Sequence, residues 1–240
     1  MKIQQDLPTG ERKKTMVRSM FDDIAPTYEK TNSFISFGLD KYARRIALKE
    51  LRMPPGSIVV DLACGTGDFS RMLNAHNMVP VACDLSFGML NHAHATQDRI
   101  QFDATVLPLP SNSCDGVVCG YAMRNFVELG TVFEEIMRVL KSGGRFVAVD
   151  VSVPKNRLLK LGNRIWFAKI APKVGWLISK NKDAYEYLPR STAYLPSEKA
   201  LSDMMIKAGA QNVHITPLLG GSLILISATK APRDKDAIGF

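Results

Sequence analysis

Three short stretches of this chain combine glycines and carboxylates at spacings that can hold a nucleoside. Val59-Val60-Asp61-Leu62-Ala63-Cys64-Gly65-Thr66-Gly67-Asp68-Phe69-Ser70 is an apolar run that passes into a turn with two glycines and then into helix-like sequence. Glycine there removes a Cβ that would forbid the turn's dihedrals or hold a ligand off the backbone at a helix start. Twenty-three residues beyond Asp61 the next apolar run ends in Asp84, and an acid at such a distance can accept hydrogen bonds from two ribose hydroxyls. A third run closes on Phe102-Asp103-Ala104-Thr105, where Asp103 can take an adenine amino group while the Ala104 backbone meets its ring. The simpler reading of Asp103 is a solvated carboxylate at a strand end. Position and partner acid together point to an adenosine-type ligand.

The kind of ligand follows from what is absent. Dinucleotide enzymes seat a pyrophosphate on GxGxxG, and here the third glycine position holds Ser70. S-adenosylmethionine carries no phosphate; it presents an ammonium, a carboxylate, a sulfonium, two ribose hydroxyls and an adenine. Either Asp61 or Asp68, beside the turn, suits the ammonium. The expected cofactor set is Asp61, Gly65, Thr66, Gly67, Asp84, Leu85, Asp103, Ala104 and Gly120, with S-adenosylmethionine as cofactor.

These residues need a sheet to place them. Apolar runs of strand length occur at Ile58–Leu62, Val79–Cys83, Ile100–Val106, Asp115–Gly120 and Arg145–Val151. Helix-like spacing lies between them at Phe69–His76, Met89–Gln97 and Val132–Leu140, the alternation of a parallel sheet flanked by helices. A helix over Pro196–Ala208 stops at Gly209. Two last strands, Asn212–Pro217 and Ser222–Thr229, are joined by only Leu218–Gly221, too short for a parallel crossover, so they form an antiparallel hairpin. The expected fold is α/β, Rossmann-like: a mostly parallel seven-stranded sheet with an antiparallel C-terminal hairpin and helices on both faces. One domain over 1–240 accommodates this, with an N-terminal helical segment at 12–52 and a basic amphipathic insertion at 153–190. Lys230–Phe240 reads as a loose tail.

Of 240 residues, 46% are apolar and 22% charged, the balance of a globular protein, and the net charge is +8. That excess is local. Val153–Lys182 holds eight Lys/Arg and no acid, leaving 23 basic against 23 acidic residues elsewhere. Leucines, isoleucines and both tryptophans, Trp166 and Trp176, interleave with the cations. Such a stretch either lies on anionic lipid or lids the domain with its cations solvated, and the two roles are compatible. No stacking motif or zinc finger accompanies the charge, so no nucleic-acid partner is expected. No apolar run approaches the roughly 18 residues that cross a bilayer. The polar opening segment lacks a signal-like apolar stretch, which leads to an expected cytoplasmic address. Cys64, Cys83, Cys114 and Cys119 form no CxxC pair and read as packing residues. His76, His92, His94 and His214 stand at no metal-ligand spacing, and no metal is expected.

The chain resembles the class I S-adenosylmethionine-dependent methyltransferases, and within them the ubiquinone/menaquinone biosynthesis C-methyltransferase family. The resemblance covers nearly the whole length. It runs from Met20-Phe21-Asp22-Asp23-Ile24-Ala25-Pro26-Thr27-Tyr28-Glu29 through Asp61–Gly67 and Gly120-Tyr121-Ala122-Met123-Arg124-Asn125-Phe126 to Arg138–Arg145, and on to Tyr185-Glu186-Tyr187-Leu188-Pro189-Arg190-Ser191. It departs at Asp150, where the family has Glu, at Ser142, where it has proline, and near Ala43, where it has tryptophan.

The resemblance implies methyl transfer to a ring carbon of a reduced, isoprenoid-tailed quinone precursor. Arg124, at the carboxyl end of the fourth strand where open α/β sheets bind ligands, is the expected group to steady the acceptor's oxyanion. Asn125 would orient the same oxygen, and Tyr28 and Tyr121 would wall cofactor and acceptor. The implied partners are a lipophilic quinol and an anionic membrane met peripherally; a homodimer is left open. Two alternatives stand beside this: a methyltransferase for another lipophilic or aromatic molecule, and a noncatalytic S-adenosylmethionine-binding module.

Overall fold

The computed structural model describes residues 8–93, 98–166, 170–179 and 181–232. Seven strands make one sheet: β1 Ile58–Leu62, β2 Val79–Asp84, β3 Asp98–Gln101, β4 Cys114–Gly120, β5 Leu140–Val151, β6 Ala210–Leu218 and β7 Leu223–Lys230. Their order is β3-β2-β1-β4-β5-β7-β6. The first five pair in parallel, whereas β7 is antiparallel to both β5 and β6. The expected hairpin is present, and its second strand sits inside the first.

Strand alternation sorts the core into two layers. Val60, Leu62, Val117, Cys119, Phe146 and Ala148 point to one face, where α6 (Leu129–Val139) and α10 (Glu198–Lys207) cover them. Val59, Val118, Val147 and Val149 point to the other, under α3 (Leu39–Leu51) and α4 (Asp68–Ala75). Each large side chain buried this way contributes about 1.5–3 kcal/mol. A third cluster lies off the sheet, where α1 (Gly10–Ile24), α2 (Tyr28–Ser36), α8 (Ala171–Ser179) and α9 (Lys182–Ser191) pack through Ile24, Ile35, Ala171, Ala184 and Tyr185.

Two expected elements differ in extent. The third strand is Asp98–Gln101 rather than Ile100–Val106; Ala104 and Leu107 are buried, but from a loop that folds into the core beside the sheet. The helix expected over Met89–Gln97 is α5, Phe87–Asn91, which is capped at His92 and buries Met89 and Leu90. His94 and the remainder of that segment to Gln97 lie outside the described residues, as does 233–240 of the expected tail, while Lys230 closes β7. The four cysteines are buried and free. Between β5 and α10 the chain adds α7 (Arg157–Ile165), α8 and α9. Among the described residues no helix is long and apolar enough to cross a membrane, and no group of His, Cys, Asp and Glu could hold a metal.

Candidate active site

The sheet's order reverses between β1 and β4, the place where doubly wound sheets open a crevice beyond the strands' carboxyl ends. Chain leaves β1 through Ala63, Gly65 and Gly67, all in the left-handed region, and enters α4 at Asp68. The crevice over this turn encloses about 160 Å³ and is lined by Ala63, Gly65, Asp84, Leu85, Asp103, Ala104 and Gly120, under a roof from α1 that includes Lys14, Arg18 and Phe21.

Asp84 is held by both oxygens. Oδ2 accepts from Gly65 N at 2.8 Å and Oδ1 from Ser86 N at 2.8 Å. Burial nevertheless pushes its carboxyl up to about 6. Asp103 is anchored by Thr105 N at 3.0 Å and by Lys14 Nζ of α1 at 2.5 Å. Burial works to raise that carboxyl, but the bonds to Lys14 and Thr105 outweigh it and hold Asp103 below the usual range. Gly120 has no room for a side chain, since a Cβ would lie 2.9 Å from the Phe69 ring.

Asp61, Thr66 and Gly67 stand behind this wall rather than in it. Asp61 Oδ2 accepts from Ser70 N at 2.9 Å and Ser70 Oγ at 2.7 Å, which ties the end of β1 to the first turn of α4. Desolvation raises Asp61 to about 6, with the Ser70 bonds opposing. Asp68, the other candidate for an ammonium, is paired with Arg44 at 3.5 Å and with Arg71. The Thr66 hydroxyl is buried without a hydrogen-bond partner among the described residues.

A second, larger chamber of about 430 Å³ adjoins the first. Its lining is mostly apolar, with Met20, Ile24, Ile35, Leu159, Trp166 and Leu223, and carries a polar group of Asn32, Arg124, Asn125, Tyr185 and Tyr187. Phe21, Tyr28, Tyr121 and Asn125 line both chambers and form the wall between them. Tyr121 sits in the left-handed region (φ 62°) directly after β4, a strained placement for an aromatic residue that turns the chain out of the sheet toward the wall. Burial raises both tyrosine hydroxyls, more than the nearby Arg44 lowers them, so at neutral pH they remain protonated.

The expected oxyanion group is engaged elsewhere. Arg124 Nη1 is 2.5 Å from Asp150 Oδ1 and 2.5 Å from the Tyr121 carbonyl, while Nε donates to Ser191 Oγ at 3.0 Å. Asp150 also accepts from Arg124 N at 3.3 Å and from Val151 N at 2.7 Å, contacts that the short aspartate makes from within β5. Arg124 therefore lines the chamber as a clamp on its own loop. Asn125 is oriented by Tyr187 Oη, which donates to its Oδ1 at 3.1 Å and leaves the amide N–H groups to donate.

The ubiE/COQ5 methyltransferase family pattern matches residues 9–230. The chain belongs to that family. Demethylmenaquinone methyltransferase of Mycolicibacterium paratuberculosis (strain ATCC BAA-968 / K-10) is 36% identical over 218 residues, spanning 90% of this chain and 95% of the relative. The protein of the same name from Clavibacter sepedonicus is 35% identical over 225 residues, 91% and 92% of the two chains. In fold, a SAM dependent methyltransferase from Aquifex aeolicus superposes with a TM-score of 0.59 at 17% identity, over 84% of this chain and 97% of that one.

Around the two chambers this ubiE/COQ5 family member makes contacts that local pattern reading missed. Lys13 is buried and donates Nζ to the carbonyls of Arg124 at 3.0 Å and Phe126 at 2.9 Å, with the Tyr194 ring 3.7 Å beneath. Burial lowers its amine to about 8. Asp22, in the conspicuous Phe21-Asp22-Asp23 run, accepts from Ser86 Oγ at 2.6 Å and Gly88 N at 2.8 Å, pinning α1 to the start of α5. Tyr187 and Ser191 reach the loop after β4 from the far side of the insertion. Asp22, Tyr187 and Ser191 fall in runs that carry the family resemblance, but nothing in those runs marks their partners, and Lys13 lies in an unremarkable polar segment.

Proposed function

We propose that this methyltransferase takes the methyl of S-adenosylmethionine and places it on a ring carbon of a reduced, isoprenoid-tailed quinol, the acceptor class named for its demethylmenaquinone methyltransferase relatives. The observation that carries the reading is the shared wall: a crevice that sets Asp84 and Asp103 where a nucleoside would meet them joins an apolar chamber at Phe21, Tyr28, Tyr121 and Asn125. The donor fits this crevice. Asp84 keeps lone pairs for two ribose hydroxyls, Asp103 for an adenine amine, and the left-handed Gly65 leaves backbone open beside them. Bound there, S-adenosylmethionine supplies an electrophilic methyl on a sulfonium.

The protein's own part is alignment and exclusion of water. A quinol ring carbon becomes nucleophilic once the adjacent hydroxyl has given up its proton to water on the way in. The hydrogen that the methyl displaces from that carbon returns to the oxygen as a proton when the ring regains aromaticity. Asn125, fixed by Tyr187, donates to that oxygen while it is charged. The two protonated tyrosines keep water from the wall, and holding the reacting atoms in line contributes about 7–11 kcal/mol. Arg124 and Asp150 fix the loop on which Asn125 rides. A tailed acceptor is dissolved in lipid, and the insertion's exposed Arg157, Lys160, Arg164 and Lys173 would hold the protein peripherally against an anionic membrane face.

Incubation with methyl-labelled S-adenosylmethionine and a reduced demethylated naphthoquinol tests this by mass spectrometry of the product. Label on a ring carbon is expected. Label only on some other acceptor in a panel sinks the quinol reading, and binding of the donor with no turnover on any acceptor sinks the enzymatic one.

A further inference from the structure

The mouth of the acceptor chamber is made by three segments far apart in the chain, and each presents apolar side chains to solvent. Phe37 and Leu39 come from the α2–α3 turn, Leu158 and Leu159 from α7, and Leu219 from the β6–β7 connection; all five line the chamber and all five are exposed. Phe37 is 72% exposed and Leu158 81%. Phe34 and Leu161, one helical turn away from Phe37 and Leu158, carry the apolar surface outward beyond the chamber.

Two of these residues pay twice for their position. Phe37 (φ 52°) and Leu219 (φ 49°) are bulky side chains in the left-handed region, where a Cβ crowds the carbonyl, and neither is compensated by burial. A strained, solvent-facing aromatic that the fold holds in place is a reason to look for function. The hold is explicit: Trp166 stacks on Phe37 with centroids 4.8 Å apart and donates Nε1 to the Ile35 carbonyl at 3.2 Å. Insertion and α2–α3 turn thus meet as one rim.

We infer that this rim is a portal that dips into a membrane leaflet, so that a lipid-dissolved acceptor passes from bilayer to chamber without crossing water. This rests on the lipophilic acceptor of the proposed function. The charge pattern selects the occupant. Arg157, Lys160 and Arg164 are exposed on the same helix as Leu158 and Leu161, and residues 153–182 contain no acid. A second copy offering the same face would bring like charges together; an anionic headgroup layer over acyl chains meets both the cations and the leucines. The α2–α3 turn adds lipid contact that charge alone would not reveal.

The full chain carrying Phe34→Gln and Leu161→Gln together is the test, because these positions lie outside the chamber lining. Co-sedimentation with vesicles of phosphatidylglycerol and phosphatidylcholine should fall about tenfold relative to the parent protein, as expected for withdrawing apolar side chains from lipid. Trp fluorescence of the parent should be quenched by bromolipid, and less so in the variant. Turnover of a long-tailed quinol embedded in the vesicles should fall with binding, while turnover of a short-tailed, water-soluble quinol stays within about twofold of the parent. Parent and variant binding lipid equally would overturn the portal, as would a parent that ignores vesicles but self-associates through the rim. Failure of the parent to methylate any quinol would remove the acceptor reading alone, since vesicle binding and quenching are measured without acceptor.

Discussion

Asp84 shows how burial and function oppose each other at one carboxylate. Desolvation holds it near 6 despite the backbone N–H groups of Gly65, Leu85 and Ser86. Ribose hydroxyls donating to it would favour the ionised form, so ligand binding and proton loss are linked. The affinity for S-adenosylmethionine should therefore weaken as pH drops below about 6, approaching tenfold per pH unit. Calorimetry across pH 5–8 reads this directly, because that range spans the Asp84 transition near 6. Asp84→Asn should bind more weakly and give a flatter profile, whereas a flat profile in the parent would contradict the linkage. Stability runs the opposite way. Asp61 and Asp84 are both raised in the folded chain, so the folded state binds their protons more tightly than the unfolded one does. Their contribution is fully present below the unfolded carboxylate value of about 4 and is lost as pH rises through about 6. Glu135 behaves oppositely, because its bonds to Arg138 lower it.

At the scale of elements, the insertion's geometry depends on Gly175. A Cβ there would lie 2.2 Å from Cγ of Tyr185, so the glycine is what lets α8 receive the ring of α9. Gly175→Ala should push α9 away, carrying Tyr187 off Asn125. The expected cost is about 1–3 kcal/mol in a urea unfolding curve, with a reduced kcat and an unchanged donor affinity; an unaltered kcat would show that α9 does not orient Asn125. Elements whose signal is local were legible in the sequence. β1 and β4 are apolar runs between turn signals and appear where such runs predict them. β3 was not, because Ala104 and Leu107 owe their apolarity to a loop packed on the core. The start of β5 was hidden too: its pairing begins at Leu140 opposite Cys114, then shifts register ahead of Gly116 and Arg145, and the Gly143-Gly144 pair in that bulge reads in sequence as a turn before the strand. The candidate site divides the same way. Gly65, Asp84, Asp103 and Ala104 stand on one crevice, as strand-end spacing allows, whereas Lys13 and Tyr187 act on residues 113 and 62 positions away. No window along the chain encodes such a contact.

For the molecule as a whole, the positive charge is segregated. Lys169 and Lys180 lie outside the described residues, but Lys160, Arg164 and Lys173 are exposed on the insertion. Replacing these three with Gln should weaken binding to anionic vesicles and flatten its dependence on salt, since each surface cation near anionic lipid contributes about 1 kcal/mol and is screened over about 10 Å at 0.1 M ionic strength. Binding that is salt-independent in the parent would refute an electrostatic contribution. The wall of Phe21, Tyr28, Tyr121 and Asn125 has a kinetic corollary. On the proposed reading donor and acceptor would occupy different rooms, one roofed by α1 and one rimmed by Phe37 and Leu158. A spent thioether can then be exchanged for fresh nucleoside while the methylated ring still rests in its own compartment. The catalyst is in this sense a partition between an aqueous reservoir and an oily one, across which a single carbon is the only cargo.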